Sequence, residues 1–254
     1  MSRSKNIMLN LLLAFFILSF IVSGYLLYKE LMVYKAGSDE YNAWVEKAVS
    51  VQKDDSTLSE NSPFLRVVDF AQLENVNSEV IGWIYIPDTI VDYPVVQTKD
   101  NDKYLNTLFS GESNKAGAIF ADYRNKMDFF DDNTILYGHN MKNKSMFHIL
   151  QEYKKQDFYD KHKTMYYYSP DGIYELRIFS AYTIHATDPY TTTNYGEDRS
   201  SRISELEKRS NIKPAFVVGP DDKIITLSTC TYDYDDARFV VHATVHKSKF
   251  GGGN

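Results

Sequence analysis

Short runs of β-branched and aromatic residues, separated by turn residues, fill the chain after Asn77 and constrain its fold more than any other feature. Eight such runs occur, at residues 81–86, 91–96, 118–120, 134–137, 164–168, 174–185, 223–228 and 239–246. Turn sequences such as Ser169-Pro170-Asp171-Gly172 lie between them, because Pro fixes φ while Gly and Asp tolerate tight conformations. The pattern predicts a mainly β domain that folds as a barrel or a sandwich.

The overall composition excludes several classes of protein. With 254 residues, 43% hydrophobic and 24% charged, the chain is globular and not wholly disordered. The formal net charge of -6 leaves no basic excess to neutralise phosphates, so we expect no nucleic-acid partner. The single cysteine, Cys230, excludes an intrachain disulfide and a zinc site built on paired cysteines. We expect neither a metal nor an organic cofactor.

The N-terminal segment at residues 7–28 carries no charged side chain. As a helix that rises about 1.5 Å per residue, it spans about 33 Å, enough to cross a hydrocarbon core of about 30 Å. Arg3 and Lys5 precede it without acidic neighbours, which by the positive-inside rule keeps residues 1–6 in the cytoplasm. We therefore expect a single-pass signal anchor in the cell membrane and an extracellular body.

Two alternatives to an anchor are a cleaved signal peptide and a buried core helix. The apolar run exceeds the about 7 to 15 residues of a signal-peptide core, and Ser23-Gly24-Tyr25-Leu26 contains no clear cleavage site. A core helix would be polar on one face, whereas this segment is apolar on every face. The anchor is the interpretation that we adopt.

Two helical regions and a tail flank the predicted strands. Apolar residues from Leu31 to about Ser56 recur near helical spacing, and Pro63 can open a second amphipathic helix whose apolar side includes Val67 and Val68. We assign residues 29–68 to a helical stalk with an N-terminal helix, residues 69–248 to the main domain and residues 249–254 to a flexible tail. Predicted helices also interrupt the strands at residues 146–153 and 199–210.

Cys230 follows directly on a predicted strand, at a strand end where catalytic groups commonly lie. Arg238 begins the next strand and can face the thiol across a hairpin, where its charge would favour a thiolate and stabilise an oxyanion. A lone cysteine is also commonly a small buried hydrophobe. The polar residues around Cys230 favour the catalytic interpretation.

A thiol nucleophile requires a proton donor, and His139 is the best placed of six histidines. It lies in the turn Gly138-His139-Asn140, which follows the strand at residues 134–137. The remaining histidines lie in predicted helices, in charged segments or on predicted strands, where a histidine usually has a structural role. They are His148, His162, His185, His242 and His246. Only His139 shares its strand-end position with the cysteine.

These residues together resemble the sortases, and the details are similar to class B. The resemblance rests on Thr226-Leu227-Ser228-Thr229-Cys230, on the following Arg238 and on the preceding Tyr137-Gly138-His139-Asn140. Further matches are Ile86-Pro87, Asp92 to Gln97, Asp100-Asn101 and Tyr104-Leu105. The similarity extends from about Asp69 to His246, and the order of His before Cys differs from that of papain-like enzymes.

The resemblance implies an eight-stranded sortase-type β-barrel with N-terminal helices and a helical insert before the cysteine strand. It implies a cysteine transpeptidase that cleaves a sorting signal of the Asn-Pro-Gln-Thr-Asn kind after Thr and joins the protein to a peptidoglycan amine of a Gram-positive cell wall. Cys230 matches the nucleophile, His139 the general acid and base, and Arg238 the oxyanion residue. Matches to substrate-groove positions are Asn101, Leu105, Tyr137, Ser228 and Thr229.

Some assignments stay open at this point. Asp233, Asp235 and Asp236 compete for any supporting acidic role, and a solvated loop is the simpler interpretation. Rival functions are a membrane-tethered, non-enzymatic β-domain for adhesion or assembly, a thiol hydrolase that uses water in place of the amine, and a pilin-polymerising sortase.

Overall fold

The computed structural model describes residues 3–51, 62–63, 66–126, 129 and 131–249. Residues 52–61, which include the end of the predicted stalk and the break before Pro63, and most of the predicted tail lie outside these residues. The helices are α1 (Arg3–Ala48), α2 (Phe70–Val76), α3 (Gln156–Lys161) and α4 (Arg199–Arg209). Short 3-10 helices are Lys103–Leu105, Phe147–Lys154, Pro189–Thr191 and Gly196–Asp198.

The described residues form ten strands, and the last eight fall where the β-branched and aromatic runs predict them. They are β1 (Val49–Val51), β2 (Arg66–Val68), β3 (Val80–Tyr85), β4 (Asp92–Val96), β5 (Ile119–Ala121), β6 (Asn133–Tyr137), β7 (Thr164–Ser169), β8 (Gly172–His185), β9 (Ile224–Cys230) and β10 (Ala237–Lys247). Within the described ranges, eight of them close into a barrel in the order β10-β8-β7-β3-β4-β5-β6-β9. The predicted mainly β, eight-stranded barrel is confirmed.

Apolar residues pack against both faces of the barrel strands, so polar side chains become accessible mainly where strands end. β6 and β9 are buried along most of their length, since the core fills the interior and Phe147–Lys154 packs against β9 outside. α4, the predicted insert before the cysteine strand, covers β8 with Ile203 and Leu206. On β9 the first exposed side chain is that of its last residue, Cys230.

The region before the barrel differs from the helices that the sequence predicts. The stalk helix ends at Ala48, and β1, which contains two β-branched valines, pairs with β2. Val67 and Val68 therefore lie in a strand and not on the side of a helix. The second helix starts at Phe70 and not near Pro63, because the Asp69 carboxylate caps it by accepting a hydrogen bond from the Gln72 amide at 2.9 Å.

The C-terminal part of α1 packs against the barrel. Tyr41, Trp44 and Ala48 are buried, and the Tyr41 hydroxyl donates to the carbonyl of Gly117 at 2.6 Å. The N-terminal part of α1 is exposed and apolar. Among the described residues, α1 is the one helix that is long and apolar enough to cross a membrane. The predicted stalk is thus joined to the barrel surface along much of its length.

Candidate active site

Strand pairing brings the predicted catalytic residues to one end of the barrel. β6 and β9 are parallel neighbours with Tyr137 opposite Ser228, so their carboxyl ends meet at the same edge. β9 and β10 are antiparallel, and their register places Arg238 directly opposite Cys230. His139 follows β6 by two residues. The hairpin arrangement that the sequence suggests for Arg238 is therefore present.

A cleft of about 320 Å³ opens at this edge. All eight residues that the sequence singles out line it: Asn101, Leu105, Tyr137, His139, Ser228, Thr229, Cys230 and Arg238. Residues that the sequence reasoning missed complete the lining: Phe120, Gly138, Ala186, Tyr190 and Thr191. Three of these, Ala186, Tyr190 and Thr191, follow the end of β8. The sequence signal that could have indicated them is the end of a predicted strand next to a turn that contains Pro189.

The Cys230 side chain is exposed in this cleft, although Ser228 and Thr229 before it are buried. A small buried hydrophobe would lie in the core, so the structure favours the accessible thiol. Thr229 presents a buried hydroxyl with no hydrogen-bond partner in the described part of the chain. Such a group gains stability from a ligand that supplies the missing partner.

His139 is held by the main chain of the short helix Lys103–Leu105. Its Nε2 lies 2.7 Å from the carbonyl oxygen of Leu105, which can only accept a hydrogen bond, so Nε2 carries the proton in this contact. Gly138 makes the close packing of this turn feasible. A Cβ atom there would lie 2.5 Å from Ile119 and 2.6 Å from Phe147.

Arg238 brings a positive charge to the cleft. Its Nη1 donates to the carbonyl of Ala237 at 3.1 Å, and no carboxylate of the described residues forms an ion pair with it. An unneutralised guanidinium opposite a thiol is suited to stabilise negative charge on sulfur or on a carbonyl oxygen during acyl transfer.

The acidic loop after Cys230 has other contacts. Asp233 forms an ion pair with Lys154 at 2.7 Å and accepts a hydrogen bond from Thr183 at 2.6 Å. Neither Asp233, Asp235 nor Asp236 lines the cleft. Among the described residues, no group of three or more His, Cys, Asp or Glu side chains is arranged to hold a metal ion.

Comparisons with known proteins agree with this geometry. The Sortase domain family model matches residues 84–246, more than half of the chain. The chain belongs to the sortase family. It is 39% identical over 182 residues to sortase B of Staphylococcus aureus, covering 70% of this chain and 75% of the relative. It is 40% identical over 177 residues to sortase B of Listeria monocytogenes, covering 68% and 72%.

A solved structure of sortase B from Bacillus anthracis has a TM-score of 0.72 to this chain at 35% identity, covering 86% of this chain and all of that one. The resemblance to class B sortases is therefore confirmed, and the chain is an enzyme of the sortase, or cysteine transpeptidase, class.

Proposed function

We propose that this sortase cleaves a sorting signal of the Asn-Pro-Gln-Thr-Asn kind after Thr, through a thioester on Cys230, and transfers the surface protein to a peptidoglycan amine. The observation that carries the proposal is the meeting of Cys230, His139 and Arg238 in one cleft at the end of the barrel. A solved Staphylococcus aureus structure, 38% identical to this chain, is a sortase B–substrate complex, which supports substrate binding by a protein of this class.

In the first half-reaction, the Cys230 thiol gives its proton to His139, and Sγ attacks the carbonyl carbon of the Thr residue. The carbonyl oxygen becomes an oxyanion beside the Arg238 guanidinium. The tetrahedral intermediate then collapses, the C–N bond breaks, and His139 donates a proton to the leaving amine. The products are an acyl-thioester on Cys230 and the released C-terminal part of the signal.

In the second half-reaction, the peptidoglycan amine attacks the thioester carbonyl. His139 accepts the proton of the incoming amine, and Arg238 again stabilises the oxyanion. As the new amide bond forms, Cys230 leaves as a thiolate and regains its proton from His139. The order is ping-pong, since the first product leaves before the amine reacts. Groove contacts to the signal come from Asn101, Leu105, Tyr137, Ser228 and Thr229, which line the same cleft.

The same proposal places the barrel outside the cell. Residues 7–28 form the anchor, residues 1–6 stay in the cytoplasm, and residues 69–248 are the catalytic domain. The exposed apolar part of α1 supports this arrangement. Partners are then surface proteins with a sorting signal, the cell-wall amine and the membrane itself.

The test is to incubate the purified full-length protein with a library of Thr-containing sorting peptides, with and without an amine acceptor, and to follow products by mass spectrometry. We expect cleavage after Thr, a thioester adduct on Cys230 and an amide product when the amine is present. Cys230→Ala should abolish all three while the circular dichroism spectrum is unchanged. Free acid as the sole product would indicate a hydrolase, and the absence of any cleavage would favour a non-enzymatic domain.

A further inference from the structure

A fully buried carboxylate lies behind one wall of the cleft. Asp122 directly follows β5, and its backbone amide donates to the carbonyl of Ile135 on β6 at 2.9 Å. Its Oδ2 accepts hydrogen bonds from the Tyr137 hydroxyl at 2.8 Å and from Nδ2 of Asn101 at 3.1 Å. Both donors line the cleft, so one carboxylate holds two side chains of the proposed groove.

Arg124 completes this arrangement from the surface. Its Nε and Nη2 donate to the two oxygens of Asp122 at 2.8 and 2.7 Å, and its Nη2 also donates to the carbonyl of Thr191 at 3.2 Å. Thr191 belongs to the segment after β8 that forms another part of the cleft. A bidentate carboxylate–guanidinium pair thus connects three segments that are distant in sequence.

The protonation states follow from these contacts. Burial alone would raise the pKa of Asp122, but the hydrogen bonds from Arg124 and Tyr137 hold it below its usual range, so the carboxylate is charged at neutral pH. Burial, together with the nearby Asp122 charge, raises the pKa of Tyr137, which keeps its hydroxyl protonated. The Tyr137 hydroxyl therefore stays a donor toward Asp122.

With these donors committed, the atoms left for a ligand are fixed. Tyr137 has given its only hydroxyl hydrogen to Asp122, so its oxygen is available as an acceptor. Asn101 uses one Nδ2 hydrogen on Asp122 and its Oδ1 on the amide of Tyr123 at 3.0 Å, which leaves its second Nδ2 hydrogen as a donor. One acceptor and one donor together match a peptide or side-chain amide group.

We propose that Asp122, clamped by Arg124, is a positioning residue that makes Asn101 and Tyr137 present one donor and one acceptor to an amide group of the sorting peptide. This inference rests on the proposed peptide substrate. The described hydrogen bonds to the Asp122 carboxylate come from Asn101, Arg124 and Tyr137, and not from Cys230, His139 or Arg238, so Asp122 acts on peptide binding and not on the chemical steps.

The decisive variant is Asp122→Asn, which keeps the size of the side chain and removes its charge. Because hydrogen bonds to a charged group are lost, we expect KM for the peptide to rise about tenfold or more, while kcat changes less than about threefold. Calorimetry on the Cys230→Ala background should show the same loss of affinity for uncleaved peptide. Adding Asp122→Asn to the double variant Asn101→Ala, Tyr137→Phe should change KM little further, because both groups through which Asp122 acts are then absent.

A matched control is Asp92→Asn. Asp92 is also held by an arginine, Arg66 at 2.7 Å, and by Trp83 at 2.6 Å, but neither Asp92 nor these two partners line the cleft. Asp92→Asn should lower Tm without changing KM. If Asp122→Asn likewise lowers Tm and leaves KM and peptide affinity unchanged, or if its effect on KM multiplies with that of the double variant Asn101→Ala, Tyr137→Phe, the inference is overturned.

A readout without peptide separates this inference from the proposed function. In an NMR spectrum, one side-chain amide hydrogen of Asn101 should exchange slowly in the unmodified protein and rapidly in Asp122→Asn, as in a released hydrogen bond. Absence of cleavage of every peptide together with this change would refute the proposed function alone. Equal exchange in the two proteins would refute the positioning role.

Discussion

Arg238 is paired with Cys230 across the β9–β10 hairpin and donates one hydrogen bond to its neighbour's carbonyl. The remaining donors of a guanidinium form a planar fork, which a lysine ammonium cannot reproduce. We expect Arg238→Lys to lower kcat/KM about 10²- to 10³-fold, as for the loss of an oxyanion donor, with little change in Tm. Steady-state kinetics with the sorting peptide measure this, and near-full activity in Arg238→Lys would assign the oxyanion role elsewhere.

His242 illustrates the structural histidine that its strand position predicts. It is fully buried, with Nδ1 2.8 Å from the Thr226 hydroxyl, and burial lowers its pKa to about 3. The unfolded chain binds a proton below about pH 6.5 while the folded protein does not, so stability falls as the pH drops from about 6.5 towards about 3.

The slope of this loss is at most about 1.4 kcal/mol per pH unit for one group. Urea unfolding between about pH 7 and about pH 5 should show a smaller loss of stability in His242→Gln than in the unmodified protein. Equal slopes in the two proteins would mean that the buried imidazole is not the group that couples folding to pH.

The sequence predicts the residues of the cleft more completely than the contacts that hold them. Cys230, His139 and Arg238 follow from strand ends and motif spacing, and all three line the cleft. Asp122 has no such signal, because its importance arises from contacts with Asn101 and other residues that only the closed barrel brings together. Pairwise contacts across distant segments are not encoded in any local pattern.

At the level of elements, the eight barrel strands match the predicted runs to within about two residues at each end, since β-branched and aromatic runs of this length have few alternatives. The errors lie before the barrel. β1 and β2 are each three residues long, too short for their composition alone to indicate a strand. They form strands and not the predicted helices because they pair with each other.

The connection between Lys103–Leu105 and β5 joins α1 to the cleft, and Gly117 is its tightest point. Gly117 has a φ of +58°, and a Cβ atom there would lie 2.3 Å from the Tyr104 carbonyl oxygen and 2.9 Å from that of Leu105. The Leu105 carbonyl is the one that contacts His139. Backbone atoms cannot move aside as a flexible side chain does, so any side chain at Gly117 displaces the partner of His139.

We expect Gly117→Ala to lower both Tm and kcat. Gly111→Ala is the matched control, because Gly111 also has a positive φ, +92°, but no atom lies within 4 Å of its added Cβ. That variant should cost about 1 kcal/mol of stability from backbone strain and keep full activity. Thermal unfolding and peptide kinetics on both variants separate strain from displacement, and equal activity in the two would contradict the role of this close approach.

At the scale of the whole molecule, α1 is bound to the barrel almost from the point where its apolar run ends. Glu30 forms an ion pair with Lys115, and the Val33 carbonyl accepts a hydrogen bond from Asn114 at 3.0 Å. Glu30 follows the apolar run by two residues, or about 3 Å of helix. The sequence suggests a stalk. With residues 7–28 as the proposed anchor, these contacts would instead hold the barrel close to the membrane surface.

This arrangement predicts a short and well-defined distance between the cleft and the lipid headgroups. Because Cys230 is the single cysteine, a thiol-reactive donor fluorophore labels the cleft alone, and headgroup-labelled lipid in a nanodisc serves as the acceptor. A flexible Gly-Ser insertion of about eight residues between Lys29 and Glu30 adds a reach of about 16 Å. Energy transfer should be efficient and narrowly distributed in the labelled protein without an insertion, and lower and broader with this one.

The same insertion after Lys249 is the control and should leave the transfer unchanged, because it changes neither α1 nor its contacts with the barrel. The C-terminal part of α1 stays packed on the barrel in every variant. A difference between the two insertions therefore reports the distance of the barrel from the membrane and not unfolding. A broad, weak transfer already present without any insertion would show that the contacts between α1 and the barrel do not hold the cleft near the membrane.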